Sequence, residues 1–578
     1  MSTETLDKDI QARVAPWLCG PFDDKTQKAV RELLEGDIDT LTESFYTDLE
    51  FGTGGLRGKM GVGTNRVNKY TIGLATQGLA NYLKISFPNQ DISVAVAFDS
   101  RNNSQKFAGY VADVLSGNGI VVHLFPELRP TPILSYAVRA LGCQSGIVIT
   151  ASHNPPIYNG YKVYWEDGGQ VIAPHDAGII SEVRKLTFGD VVFVSNPKLI
   201  QSIGASLDDE YLRMAKSKML SPETMQRNGD ISIVYTSLHG TGITLVPKAL
   251  ANHGFSNVNL VEAQSVPNGD FPTVTSPNPE ESQALDMGLK LCEKIGADLL
   301  LGTDPDADRV GIAVRDAEGK MVLLNGNETG SLLVFYHLQR LKELGKLDGR
   351  QFVAKTVVTT ELIAAIANGF NVELKETLTG FKWIAEQIRL CEGKLKFVTG
   401  GEESYGYLIG DEVRDKDAVL AAVMLSEITA WAKSKGQTLV ELLRDIHLQY
   451  GYYREGLLSI TREGISGKAE IVQTMEKFRT NPPKTIDGSE VVEIRDLLSG
   501  ESLDLLTGSK TTIHLPSSNV LQFITKHGAK ITVRPSGTEP KIKYYFSLNA
   551  AVTKENYAEV QAQVEIQLKR LEKLFAAF

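Results

Sequence analysis

Three times along this chain an apolar run leads through alternating helix-like and strand-like stretches to a final strand that ends in a polar loop. The first passage runs ISVAVAF (92–98), a helical stretch (104–118), GIVVHLF (119–125), a second helical stretch (131–141) and SGIVIT (145–150). The second runs ISIVYTSL (231–238), helices near 243–253 and 281–295 around VNLVE (258–262), and ADLLLGT (297–303). The third opens at QFVAKTVV (351–358), continues through helices near 361–369 and 380–391, and closes on KFVTG (396–400). Continuous apolar strands alternating with helices need a sheet covered on both faces. The pattern predicts three related α/β domains with mixed, largely parallel sheets. In open sheets of this kind ligands bind beyond the carboxyl ends of the strands, where all three polar loops lie.

From about residue 437 the texture changes. A helical stretch (467–478) is followed by the short strand candidates VVEIRD, NVLQFIT, AKITVRP and IKYYFSL, and a helix near 555–576 ends the chain. This predicts an α+β domain with a smaller sheet. At 578 residues the chain exceeds one core, and domains are expected at 1–205, 206–320, 321–440 and 441–578. A net charge of −10 argues against nucleic acid as a partner. No apolar run approaches the ~20 residues a membrane helix needs. The N-terminus carries early acids and no apolar signal core, and Cys19, Cys143, Cys292 and Cys391 form no CxxC pair. A cytoplasmic protein with reduced thiols is expected.

The loops carry the chemistry. ITASHNPPIYNGYK (149–162) contains enough Asn, Pro and Gly for an ordinary turn, yet a turn has no need of Ser152, His153 and Lys162 together. A hydrolase nucleophile elbow is excluded, because Thr150 and Asn154 occupy its glycine positions. Asp304-Pro-Asp306-Ala-Asp308 sets three carboxylates on alternate residues, which an extended chain points to one side. Such charges repel unless a cation lies between them, and all-oxygen ligation favours magnesium, manganese or calcium. A calcium EF-hand loop is excluded by Arg309 and Arg315, which stand where it needs Gly and Glu.

Arg534-Pro-Ser536-Gly537-Thr538-Glu-Pro-Lys541 offers a guanidinium, hydroxyls and free backbone N–H groups suited to a phosphate. Gly401-Glu402-Glu-Ser404-Tyr-Gly406 offers acceptors and a hydroxyl suited to sugar hydroxyls. The glycine-rich stretch 51–63 fails the Walker and dinucleotide templates, since Thr53, Met60 and Arg57 stand at required positions. What it retains is a loop presenting Arg57. Lys355, Lys382 and Lys416 read individually as solvated lysines.

Taken together, TASHNP, DPDADR, GEESYG and RPSGTEPKIK resemble, in order and spacing, the four motifs of the α-D-phosphohexomutases, the phosphoglucomutase/phosphomannomutase superfamily. The resemblance implies four domains around a central cleft, the last TATA-box-binding-protein-like. It implies that Ser152 carries a phosphoryl group and that magnesium is held by that phosphate with Asp304, Asp306 and Asp308. It further implies help from Arg57, His153 and Arg309, and general-base positions at Lys162 and Lys416, each with a depressed pKa. Lys355, Thr379, Gly380, Lys382, Glu402 and Ser404 would meet the sugar phosphate, as would Arg534, Ser536, Gly537, Thr538 and Lys541.

The implied reaction interconverts glucose 1-phosphate and glucose 6-phosphate, with glucose 1,6-bisphosphate as intermediate and activator. DPDADR departs from the commoner Asp-Gly-Asp-Gly-Asp-Arg, and RPSGTEPKIK is similar to the branch containing phosphopentomutases and glucose-1,6-bisphosphate synthases. GEESYG is similar to glucose-selective members, and the glucosamine branch's Gly-Glu-Gln-Ser-Gly-His is lacking. Phosphomannose and phosphopentose remain alternative sugars. Two rival classes are a metal-dependent sugar-phosphate phosphatase using water in place of Ser152, and a non-catalytic sensor. Intact serine and carboxylates disfavour the sensor.

Overall fold

The computed structural model describes residues 7–50, 52, 55–462, 464–536 and 541–577. Every strand and helix expected from the three repeated passages is present. The chain forms two compact units. One comprises residues up to Leu324 with Ala385–Lys396 and Tyr405–Gly436; the other comprises Asn325–Ile384, Phe397–Ser404 and Gln437 onward.

In the first unit, β1 (Gly55–Lys59), β2 (Ser93–Phe98), β3 (Val121–Leu124), β4 (Ser145–Ile149), β5 (Tyr158–Trp165) and β6 (Ile200–Ser202) form one sheet, ordered β1-β5-β4-β2-β3-β6. Strands β4, β2, β3 and β6 run parallel, and the helices Ser104–Gly117 and Thr131–Ala140 serve as crossovers. Val94, Val96, Leu115, Ile147 and Ile149 are buried in its core. Strands β5 and β1 return antiparallel. A second sheet repeats the device. Strands β7 (Ile233–Thr236), β8 (Val258–Leu260) and β9 (Leu299–Thr303) are parallel, while β10 (Val310–Arg315) and β11 (Met321–Leu324) return antiparallel.

The returning strands correct the sequence reading, which puts YNGYK (158–162) in a loop. Polar Asn159 and Lys162 disguise β5, yet both are buried because they have partners. Asn159 donates to Ser104 Oγ at 2.9 Å and to the Asn102 carbonyl at 3.1 Å.

Before β1 stands a helical cap that the sequence reading does not assign: Lys8–Val14, Asp24–Gly36 and Ile38–Phe45. Its core gathers Trp17, Phe22, Val30, Leu41 and Phe45 against Tyr70, with Phe188 and Phe193 packed alongside. The cap grips the turn after β1. Glu43 pairs with Lys59 at 2.9 Å and Arg66 at 3.2 Å. Gly63, at φ +119°, leaves no room for a side chain, since a Cβ would lie 2.4 Å from the Ser44 carbonyl oxygen.

The second unit holds β12 (Gln351–Thr356) between β13 (Glu373–Thr377) and β14 (Lys396–Gly401), with β12 and β13 parallel. Strand β15 (Tyr407–Ile409) belongs to the first unit. The C-terminal sheet contains β16 (Tyr452–Thr461), β17 (Thr485–Ile486), β18 (Ser489–Asp496), β19 (Glu501–Asp504), β20 (Lys510–Thr512), β21 (Leu521–Thr525), β22 (Lys530–Pro535) and β23 (Lys541–Ala550). Its order is β16-β23-β22-β21-β18-β19-β20, with β17 on β18, and every ladder is antiparallel. With eight strands it is the largest sheet among the described residues, not a smaller one. Half-exposed edge strand β16 and the short polar strands β19 and β20 carry too little periodicity to be read from sequence.

The helices Gly464–Thr480 and Tyr557–Phe575 cover this sheet through Met475, Phe478, Leu568, Leu571 and Phe575. Val357, Val358 and Leu378 share a core with Leu497, Val520 and Tyr545, joining the third α/β segment to the C-terminal sheet. The chain is thus mixed α/β in four domains, three related and one sheet-rich. All four cysteines are free. Among the described residues no helix is long and apolar enough to cross a membrane.

Candidate active site

Two of the polar loops are hairpin connections, joining the last parallel strand of a sheet to its antiparallel return. In the first, between β4 and β5, Ser152 has φ +49°, a left-handed conformation that is unfavourable for a residue with a Cβ. Its N–H donates to Thr150 Oγ1 at 2.8 Å. Its hydroxyl donates to Asp304 Oδ2 at 2.6 Å and lies 3.3 Å from His153 Nδ1. Burial, then the Arg309 and Arg57 cations, hold the His153 pKa well below the usual imidazole range, so the ring is neutral.

The second hairpin, between β9 and β10, carries the acids. The expectation of an extended chain is corrected here: Pro305–Ala307 form a turn, with Ala307 at φ +50°. The turn aims Asp304 inward to accept from the Asp308 and Arg309 N–H groups at 3.1 and 3.0 Å. One oxygen each of buried Asp304, Asp306 and Asp308 lies within 4.8 Å of the others. Asp306 Oδ1 and Asp308 Oδ1 are buried with no hydrogen-bond donor. Buried carboxylate oxygens left unpaired are costly, and three hard oxygen donors this close fit a divalent cation of the magnesium class. Burial, then Asp306 and Asp308, pushes the Asp304 pKa well above the carboxylate range. Burial acts the same way on Asp308, but Lys162, Lys416 and Arg309 overcome it and hold its pKa down.

Sequence reasoning missed what holds this turn. Thr131 donates its N–H to the Asp306 carbonyl at 2.8 Å and its hydroxyl to Asp306 Oδ2 at 3.1 Å. Thr241 gives both N–H and hydroxyl to the Pro305 carbonyl, at 2.8 and 2.9 Å. Gly240 lets the chains meet, since a Cβ there would stand 2.4 Å from Pro305 Cα. The signal was available: LHGTG (238–242) follows β7 at the same carboxyl edge.

Lys162 lies on β5, 2.8 Å from Asp306 Oδ2 and 3.0 Å from Asp308 Oδ2. Lys416 lies 3.2 Å from Asp308 Oδ2 and 3.0 Å from Asp415 Oδ1. Both lysines are buried, which overturns the solvated reading of Lys416. The expected depression of the Lys162 pKa is also corrected. Burial lowers it, but Asp306 and Asp308 together outweigh burial and raise it. Arg309 pairs with Glu280 and stands 3.8 Å from Asp308. Exposed Arg57, opposite Gly160 in the β1–β5 ladder, donates to Asn154 Oδ1 at 3.0 Å.

The second unit gathers the remaining candidates. Glu402 Oε1 accepts from the Gly380 N–H at 2.8 Å, beside a Thr379 hydroxyl buried without a partner. Ser404 and Lys382 are half-buried, the latter 5.0 Å over the Trp383 ring. Lys355 is fully buried between Glu376 at 3.0 Å and Glu361 at 3.1 Å, so its solvated reading fails as well. Arg534, on β22, hydrogen-bonds Tyr545, which is within electrostatic reach of Glu403 and Glu402. The Ser536 N–H donates to the Lys541 carbonyl at 2.7 Å, closing the loop at its base. Gly537 and Thr538 lie outside the described residues.

Residues 48–190, 209–319 and 325–450 match, in turn, alpha/beta/alpha domains I, II and III of Phosphoglucomutase/phosphomannomutase. A phosphoglucomutase of Staphylococcus epidermidis is 40% identical over 514 residues, covering 88% of this chain and 92% of that protein.

The chain belongs to the phosphoglucomutase/phosphomannomutase family.

A phosphoglucomutase of Staphylococcus aureus is likewise 40% identical, over 88% of this chain and 90% of its own length. In fold the chain is similar to Paramecium pp63/parafusin, with a TM-score of 0.68 at 19% identity, covering 91% of this chain and 95% of that one. A Burkholderia thailandensis phosphoglucomutase/phosphomannomutase family protein gives a TM-score of 0.64 at 19% identity, over 90% and 97% of the two chains. Membership in this family, together with a buried carboxylate triad that fits a metal ion, points to metal dependence.

Proposed function

We propose that this enzyme is a phosphoglucomutase, an intramolecular phosphotransferase interconverting glucose 1-phosphate and glucose 6-phosphate. The observation that carries the mechanism is Ser152 Oγ lying 2.6 Å from Asp304 in a loop where the serine is 3% exposed. In the resting enzyme Ser152 is phosphorylated. A hydroxyl of the bound sugar phosphate attacks the phosphorus as the Ser152 O–P bond breaks, giving glucose 1,6-bisphosphate and free Ser152. Ser152 then takes the bisphosphate's other phosphoryl group, leaving the isomeric product. Magnesium held by Asp304, Asp306 and Asp308 would neutralise charge on the transferring group.

The chain's own residues do the rest. Arg57 and Arg309 bring positive charge to the Ser152 loop, and neutral His153 supplies a hydrogen-bonding ring nitrogen beside Oγ. Lys162 and Lys416, held as ion pairs at the triad, are assigned to the proton of the reacting sugar hydroxyl. Lys355, Thr379, Gly380, Lys382, Glu402 and Ser404 are assigned to the sugar, and Arg534, Ser536, Gly537, Thr538 and Lys541 to the phosphate that is not reacting. The domain limits 1–205, 206–320, 321–440 and 441–578 and a cytoplasmic location belong to the same reading.

A coupled assay comparing glucose 1-phosphate, mannose 1-phosphate and ribose 1-phosphate tests the substrate, and peptide mass spectrometry tests for phosphate on Ser152. We expect glucose 1-phosphate to be preferred and Ser152→Ala to be inactive. Near-normal turnover by that variant would falsify the phosphoserine mechanism. Free phosphate released from glucose 1-phosphate would identify a phosphatase instead.

A further inference from the structure

Arg101 closes the strand–loop segment Asp99-Ser-Arg101 that follows β2, and it is 3% exposed. Its guanidinium is turned on the loop that carries Ser152. One terminal nitrogen donates to the carbonyls of Pro155 at 2.9 Å and Tyr158 at 3.1 Å. The other donates to the carbonyls of Ser152, at 2.5 Å, and Asn154. Asp99 faces the guanidinium at 3.4 Å and is itself held by Ser104 Oγ at 2.6 Å. The Phe271 ring covers the guanidinium at 5.1 Å. Phe271 belongs to a turn that fits closely over the next residue: a Cβ at Gly269 would stand 2.3 Å from the Asn102 nitrogen, and Asp270 accepts from Asn102 Nδ2 at 2.6 Å.

Within this arrangement it is Ser152 that hydrogen-bonds the carboxylate triad, while Arg101 reaches the triad's charges from behind the loop. What it does is bind four backbone carbonyls of the Ser152 loop, including that of Ser152, whose left-handed backbone most needs holding. A planar fork with several fixed donors is suited to that task, and an ammonium is not. We propose that Arg101 is a positioning residue for phosphoryl transfer, keeping Ser152 Oγ aimed at Asp304, with Phe271 as the cover that holds the guanidinium on the loop. This rests on Ser152 being the phosphoryl carrier.

The test uses the full-length enzyme. Arg101→Lys keeps the charge and loses the fork, so kcat for glucose 1-phosphate should fall about ten- to a hundredfold, as expected for a misaimed group. KM should stay within about twofold, because binding in the ground state is untouched. Phe271→Leu, which alters no residue of the loop, should lower kcat in the same direction by a smaller factor. Arg101→Ala should regain turnover when guanidinium is added, and not when ammonium is added. If both single variants lower the melting temperature while their folded fractions keep the parent kcat, Arg101 is scaffold only and the inference fails. Mass spectrometry of the parent separates the two levels. A parent that turns over without phosphate on Ser152 overturns the mechanism and this inference together. A phosphorylated parent with unaffected variants overturns the inference alone.

Discussion

The methylene chain of Lys416 runs through the space that a side chain at Gly406 would need: a Cβ there would lie 2.1 Å from Lys416 Cδ. The last glycine of GEESYG is therefore explained by a lysine ten positions on. Gly406→Ala has to push Lys416 away from Asp308 and Asp415. We expect kcat to fall about tenfold or more, with little change in melting temperature. A variant with parent kcat would separate Lys416 from the reaction.

Asp306→Asn removes one charge and one hard donor from the triad. Magnesium should then be needed at concentrations at least about tenfold higher, and high magnesium should restore part of the rate. Exhaustive chelation should stop the parent enzyme. Magnesium titration of activity for both proteins is the measurement, and an unchanged midpoint would remove Asp306 from the ligand set.

Glu455, on β16 opposite Ser547, has its pKa pushed by burial up to about 7 from an ordinary value of 4.5. Between those values the folded chain keeps a proton that the unfolded chain has lost. Stability from this residue is therefore present below about pH 4.5 and declines as pH rises to about 7. Allowing for its partial exposure, the loss is about 2 kcal/mol. Glu455→Gln should raise the melting temperature by a few degrees at pH 8 and leave it near the parent value at pH 4.5. Equal shifts at both pH values would show that this carboxyl does not titrate in the expected window.

Arg534→Ala should raise KM for glucose 1-phosphate by about ten- to a hundredfold, the worth of a charge-assisted hydrogen bond to phosphate. It should also release glucose 1,6-bisphosphate, so that added bisphosphate stimulates the variant far more than the parent. If RPSGTEP is only a turn, the variant melts earlier but its folded fraction has normal KM and no greater need for bisphosphate.

Ser152 and the acids at 304, 306 and 308 could be recognised from sequence because their chemistry is local: a strand end followed by residue types that a turn does not require. Lys162 was recognised as a residue and misread as a loop position, since the alternation of β5 is broken by polar groups whose partners are distant in sequence. Burial of Lys355 and Lys416 is invisible in the sequence because each also depends on a distant carboxylate, Glu376 and Asp308 respectively. The nearby Glu361 and Asp415 complete each lysine's surroundings but do not by themselves signal burial. Arg101 stands just beyond an apolar strand with nothing beside it in sequence to mark it. Its role depends on four carbonyls more than fifty residues later. The three repeated domains follow from periodicity, as do β18, β21, β22 and β23 of the C-terminal sheet, whereas half-exposed β16 and the short polar β19 and β20 do not.

The helical cap before β1 has a practical consequence for anyone cutting this protein into pieces. The family match begins at residue 48, an inviting place to start an expression clone. Such a clone would discard Trp17, Phe22 and Phe45 and expose the faces of Tyr70, Phe188 and Phe193 that they cover. It would also strip Lys59 and Arg66 of Glu43, loosening the turn after β1, the strand that carries Arg57. The shortened protein would be sticky and slack at the same edge, and its poor activity would be misread as a property of the catalytic residues.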